Sequence, residues 1–278
     1  MKKLQSQKGF TLVELAIVMT IIGLLIGGIL KGQELMQNAR VTATIAQVRS
    51  YEAATTTFRD TYAAIPGDMP NAQNRIPGCT VNCNPASGVG LAGNTFVGAP
   101  GWGTGGFTAQ VASATAAMNV PPSAVGDETV LYWAHLLLAD LIAGVSNAAL
   151  NGSVPSWGDT HPQARIGGGF IVGWGDGTIG PGSTATAGTG PAGMLLALVQ
   201  GPTTGGTAAM QVAGQQPLTP ARAAQIDRKM DDGRPTGGFV QAYGVTANCF
   251  TTGSTSANAA YVESSTVNSC GLLFRIQG

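Results

Sequence analysis

Three groups of residues in this chain have the types and spacing to do chemistry. The first is Glu14, the only acid in an otherwise apolar run, residues 10–30, preceded by Gly9-Phe10. A carboxylate in a membrane-length apolar segment costs at least ~2.5 kcal/mol even on insertion scales, so it calls for a partner or a role. Were the chain cut before Phe10, a new α-amino group would stand one helical turn from Glu14. In a lateral assembly of such helices, the amine of one subunit pairs with the carboxylate of its neighbour, relieving both burial costs. The plainer alternative places Glu14 at the membrane interface, favoured by the dipole of the helix N-terminus.

The second group is Asp227, Asp231 and Asp232. Carboxylates and nearby carbonyls are the ligand type of a hard cation such as calcium, but the spacing matches no calcium loop, and Arg228, Lys229 and Arg234 stand ready to neutralise the acids. Helix capping and ion pairing are the alternative. The third group is four cysteines in two local pairs, Cys79 with Cys83 and Cys249 with Cys270. In an oxidising compartment these form disulfides; a metal pair or free thiols is the other reading. The two histidines, His135 and His161, have no ligand-like spacing to either pair, which argues against zinc. No phosphate-binding loop, nucleophile elbow or histidine-and-acid set is present, so the sequence does not read as an enzyme.

The elements that must position these residues begin with the leader. Residues 1–8 carry Lys2, Lys3 and Lys8 and no acid, which holds them on the cytoplasmic side of a membrane. Residues 10–30 would span ~30 Å as a helix, one hydrocarbon core. No small-residue cleavage site follows Leu30, so the apolar segment is expected to be retained. Helical periodicity continues through Val41, Ile45, Val48, Tyr51, Thr55, Phe58 and Tyr62, with Arg40, Arg49 and Arg59 off the stripe. Pro66-Gly67 should stop a helix running from Phe10 to Tyr62, too long to fold back into a body of this size.

Gly9-Phe10-Thr11-Leu12-Val13-Glu14-Leu15 and the Ile-Val-Met-x-Ile-Ile-Gly that follows resemble the class III leader and N-terminal segment of type IV pilins and type II secretion pseudopilins. The resemblance covers about the first sixty residues. It implies cleavage after Gly9 by a prepilin peptidase, N-methylation of Phe10, and assembly on an inner-membrane platform into a helical homopolymer, with Glu14 fixing subunit register. It implies a single-pass precursor in the bacterial inner membrane, leader cytoplasmic and head periplasmic, and then an extracellular or periplasmic filament. Some pseudopilins bind calcium in C-terminal loops, which is why Asp227, Asp231 and Asp232 are weighed; no other cofactor is expected. The segment from Cys249 to Cys270 resembles the disulfide-bounded C-terminal region of many pilins. Many family members carry a proline some twenty residues into the mature helix. Here Gly27-Gly28 and Gly32 stand nearby, and either weaken the helix locally or allow close helix packing.

The expected fold is α+β: a long projecting N-terminal helix packed on a globular head with an antiparallel sheet and extra helices. The division reads 1–9 leader, 10–30 membrane or filament-core half, 31–62 amphipathic half, and 63–278 head. Within the head, residues 63–126 read as an irregular Gly-, Pro-, Asn- and Thr-rich connection. Asp127 should cap a helix from Glu128 to about Gly144, with His135 as a satisfied core histidine. Gly169 to Trp174, Met194 to Val199 and Gly237 to Ala242 read as strands, with Trp174-Gly175-Asp176-Gly177 as a hairpin turn. Thr219-Pro220 should open a helix running to Met230. Asn151-Gly152-Ser153 matches a glycan acceptor by pattern alone.

Without residues 1–9 the chain keeps 11 basic and 14 acidic side chains. This mild acidity, with few aromatics, argues against nucleic-acid binding. A pilus subunit, a secretion pseudopilin, and a membrane-anchored exported adhesin or DNA-uptake component remain as readings.

Overall fold

The structure is a computed structural model, and it describes residues 11–84, 118–119, 128–146, 156–176, 192–201, 207–208, 216–244, 248–251 and 259–277. Gly9, Phe10, Asp127, the glycan-like Asn151 and most of the 63–126 connection lie outside them. The architecture is α+β, a long N-terminal helix with further helices and a four-stranded antiparallel sheet. The chain divides into two compact units, residues 1–40 and 41–278, and the division falls inside helix α1 (Leu12–Tyr62).

Helix α1 runs unbroken through Gly23, Gly27, Gly28 and Gly32, so these glycines do not interrupt it. Its 51 residues end at Tyr62, the expected last residue, and the Ala63 that follows takes the left-handed conformation at φ 50° and donates its N–H to the Arg59 carbonyl at 2.7 Å. That bond closes the last turn just ahead of Pro66-Gly67.

From Val41 onward α1 buries the predicted stripe, Val41, Ile45, Val48, Tyr51, Thr55 and Phe58, with Thr44 and Ala54 filling in. Tyr51 meets Trp133 and Phe170 edge to face at 5.2 and 5.5 Å. The Gln47 side-chain amide donates to the Gln163 carbonyl at 3.1 Å, and its oxygen accepts the Arg165 N–H at 3.0 Å. One side chain thereby satisfies two backbone groups of the segment leading into the sheet.

The sheet has the order β2-β3-β6-β5, all antiparallel, built from β2 (Gly169–Asp176), β3 (Ala192–Val199), β5 (Val240–Gly244) and β6 (Cys270–Gln277). A separate two-residue pair joins β1 (Met118–Asn119) to β4 (Thr207–Ala208). Alternate residues divide between two buried clusters. Phe170, Val172, Leu196, Leu198, Leu272 and Phe274 join α1 in the main core, while Ile171, Leu195, Ala197, Tyr243 and Leu273 pack on the other face. Burial on both sides explains why Met194 to Val199 reads as a continuous apolar run rather than an alternating one.

Two expectations are corrected here. Trp174, Gly175 and Asp176 are not a turn; they pair with Met194, Gly193 and Ala192 as the end of β2. Helix α2 (Glu128–Leu138) stops short of Gly144. Asp140 sits in the left-handed region at φ 55°, its N–H bonds the Leu137 carbonyl, and the Leu141 N–H bonds the Leu136 carbonyl, each at 3.0 Å. This is a Schellman closure with aspartate where glycine is the common choice, so the usual stop signal was missing from the sequence. Helix α3 (Pro220–Met230) begins at Thr219 as expected, with proline at its first position, although the Thr219 side chain makes no capping bond.

Candidate functional site

At the start of α1, Thr11 and Glu14 form a reciprocal capping box. Glu14 Oε2 accepts both the Thr11 N–H and the Thr11 hydroxyl at 2.9 Å, and the Glu14 N–H donates to Thr11 Oγ1 at 3.3 Å. The sequence reading singled out Glu14 and missed Thr11, although Thr-x-x-Glu before an apolar run is the signature of this motif. The box does two things. It satisfies free N–H groups of the first turn, and it turns the carboxylate back toward the N-terminal end of the helix.

Beyond Glu14 every large apolar side chain from Leu12 to Leu30 is exposed in the isolated chain, from 43% at Ile22 to 86% at Leu12. Such a surface exceeds what a water-soluble monomer presents. Among the described residues α1 is the one helix long and apolar enough to cross a membrane. Lys31 and Glu34 follow the apolar run and pair at 2.7 Å, as polar residues do where a span ends.

Residues 4–30 match a family model described as the prokaryotic N-terminal methylation motif. This is a class III prepilin-type signal. No curated protein and no solved structure matches the chain. The prepilin-type signal implies processing by a prepilin peptidase and assembly into pilus-like polymers, and it marks pilin-type structural subunits rather than enzymes. A membrane-anchored precursor that later enters a filament fits both the signal and the apolar helix behind it.

The remaining candidate groups are explained by local structure. Cys79 bonds Cys83 and Cys249 bonds Cys270, with Cα separations of 5.7 and 5.1 Å. The fold brings His135 beside the first pair, a proximity the sequence spacing concealed. Neither the sulfurs nor the imidazole is available to a metal in this state. The sulfurs are bonded to each other, Nδ1 accepts the Gly67 N–H at 2.9 Å, and Nε2 then carries the proton that it shares with the Cys83 carbonyl at 2.9 Å. His135 is thus a buried latch that ties both ends of the segment from Gly67 to Cys83 onto α2. Gly67 fits there because it has no side chain: at φ 86° a Cβ would run into the Glu128 carbonyl oxygen.

Burial holds His135 neutral, with its pKa lowered to about 4, and does the same to His161. Both folded-state values lie below the unfolded one, so the stability they contribute is present above pH ~6.5 and is lost as pH falls toward ~4. Thermal unfolding of the full chain in detergent should show a melting temperature that falls across this window. His135→Ala should reduce the slope and, by orphaning the Gly67 N–H and the Cys83 carbonyl, cost ~2–4 kcal/mol at neutral pH. An unchanged slope in His135→Ala would contradict the latch.

Asp227, Asp231 and Asp232 do come together, but their oxygens serve the loop between α3 and β5. Asp231 Oδ2 accepts the Phe239 N–H and, at 3.0 Å, the Val240 N–H, so it starts strand β5. Asp232 Oδ1 accepts the Arg234 N–H at 2.9 Å, a tight turn. Asp227 takes the Gly233 N–H at 3.1 Å and the Tyr261 hydroxyl at 2.8 Å. The direct ion-pair partner of Arg228 is Glu263. These contacts match the capping alternative, and the three carboxylates also lie within 4.8 Å of one another.

Proposed function

We propose that this chain is the structural subunit of a type IV pilus or pilus-like filament, cleaved after Gly9, N-methylated at Phe10, and polymerised through its N-terminal helix. The observation that carries the proposal is the prepilin-type signal at residues 4–30 leading directly into an unbroken helix whose apolar side chains are exposed. Inserted in the inner membrane, that surface faces lipid. In the filament it faces the same helices of neighbouring subunits.

Exchange of lipid for helix gains little hydrophobic free energy, because acyl chains are as apolar as leucine. The contacts that distinguish a neighbour from lipid are polar or close-packed. A Phe10 amine meeting Glu14 of the next subunit removes two burial costs at once and fixes the axial step. Gly23, Gly27 and Gly28 have open space around them in the isolated chain, which leaves room for close helix approach.

A surface pilus is the finer reading over a secretion pseudopilus, supported by the large Gly-rich head and the bonded Cys249–Cys270 segment. Gly9→Leu places a bulky residue at the cleavage point and is expected to leave a full-length precursor on a gel, with no filaments in sheared surface material by electron microscopy. Filaments built from uncleaved Gly9→Leu chains would contradict the proposal.

A further inference from the structure

The two disulfides sit in unlike surroundings. Cys249 and Cys270 are both fully buried, and the chain around them is paired: the Val262 N–H donates to the Cys249 carbonyl at 2.9 Å, and Leu218 exchanges backbone bonds with Cys270 at 3.0 Å. The other pair lies at the edge of the main core. Cys83 is fully buried, whereas Cys79 is half-buried and stands between the exposed Gly78 and Thr80. Of the four cysteines, Cys79 alone reaches solvent. The two bonds also differ in reach, joining residues 4 and 21 positions apart. A bond that closes a short loop removes less entropy from the open chain, so less stability is lost when it opens.

Hydrogen bonds hold the short pair in place independently of its sulfurs. His135 Nε2 donates to the Cys83 carbonyl at 2.9 Å, and its Nδ1 accepts the Gly67 N–H at 2.9 Å. The Cys83 N–H donates to the Thr80 carbonyl at 2.9 Å, and the Asn84 side chain accepts the Gln73 N–H at 3.3 Å. None of these bonds passes through the sulfur–sulfur bond, so opening it leaves both ends of the segment from Gly67 to Cys83 tied to α2 and the two thiols side by side.

We propose that Cys79–Cys83 is an exchangeable disulfide, opened by a dithiol that attacks Cys79 Sγ and reclosed by the matching disulfide, while Cys249–Cys270 stays intact. Access selects the attacked sulfur, because exchange needs a thiolate to reach it. The incoming thiolate forms a new bond to Cys79 Sγ. The Cys79–Cys83 bond breaks, and its electron pair leaves on Cys83 Sγ, which then takes up a proton. The second thiol of the reagent, on losing its proton, attacks the reagent sulfur of the mixed disulfide and expels Cys79 as a thiolate. The dithiol is thereby oxidised by two electrons and the cystine reduced by the same two. Reclosure runs these steps backwards, and the His135 bonds favour it by keeping Cys83 beside Cys79.

The test uses the folded full chain in detergent micelles, treated with dithiothreitol at about pH 8, where a good share of the reagent is thiolate. Samples are quenched at intervals, alkylated and read by peptide mass spectrometry. Cys79 and Cys83 are expected to become alkylated about tenfold or more faster than Cys249 and Cys270, as their difference in access dictates. Equal rates overturn the proposal, and so does earlier opening of Cys249–Cys270 or a Cys79–Cys83 bond that opens only once the chain unfolds. With the monothiol glutathione and a short incubation, the mixed disulfide is expected on Cys79. An adduct carried mainly by Cys83 overturns the assignment of the attacked sulfur. Adding oxidised dithiothreitol to the reduced chain should restore Cys79–Cys83, and a failure to reclose contradicts the exchange.

Discussion

Glu14→Ala is expected to yield a chain that inserts in the membrane and loses residues 1–9 normally, yet gives almost no filaments in sheared surface material. Breaking a buried ion pair by removing one partner costs ~3–5 kcal/mol, a factor of roughly a hundred to several thousand per subunit contact. The capping box supplies a rival explanation, since Glu14 also closes the first turn of α1 through Thr11. Glu14→Gln separates the two, because glutamine also serves at this position of a capping box while carrying no charge. If charge pairing is the role, Glu14→Gln fails to assemble as Glu14→Ala does. Normal filament yield from Glu14→Gln would assign the residue to helix capping and remove the ion pair from the account.

The second large effect is expected from Cys249→Ser with Cys270→Ser. Both cysteines are fully buried, and Cys270 opens β6 opposite Gly244 of β5. Phe250 and Tyr261 bridge within the loop so closed. Closing a loop of this length stabilises by about 3 kcal/mol on the chain-entropy account. The melting temperature should therefore fall by roughly 5–10 °C for a domain of this size, read in detergent by circular dichroism. An equal melting temperature with and without the bond would show that backbone pairing from Leu218 to Cys270 suffices. The Cys79–Cys83 bond spans only a few residues and should contribute less.

The parts of the fold legible in the sequence are those governed by one dominant periodicity. The stripe from Val41 to Phe58 was legible because a single helix face is buried over many turns. Strand β3 was legible because burial on both faces leaves an uninterrupted apolar run. Turns were less so. Asp140 ends α2 in the left-handed conformation without glycine, and Gly175 sits inside a strand rather than a turn. In each case the tertiary setting overrides a local preference.

The same division holds for the candidate site. Glu14 stood out because an acid in an apolar run is anomalous, whereas Thr11 needed the three-residue spacing to be read as a cap. His135 was placed in the core, but its link to both Gly67 and Cys83 joins residues up to 68 positions apart and has no local signal. Asp227 was grouped with its acidic neighbours, and its Tyr261 partner lies 34 residues away.

The central claim is that one stretch serves as membrane anchor, maturation site and polymer contact in turn. Its most direct test is intact and N-terminal peptide mass spectrometry of this chain recovered from sheared surface filaments. The account predicts a chain beginning at N-methylated Phe10, lacking residues 1–9 and retaining all of residues 10–30. A chain beginning at Met1, or one cut beyond Leu30 so that the apolar helix is gone, would contradict it.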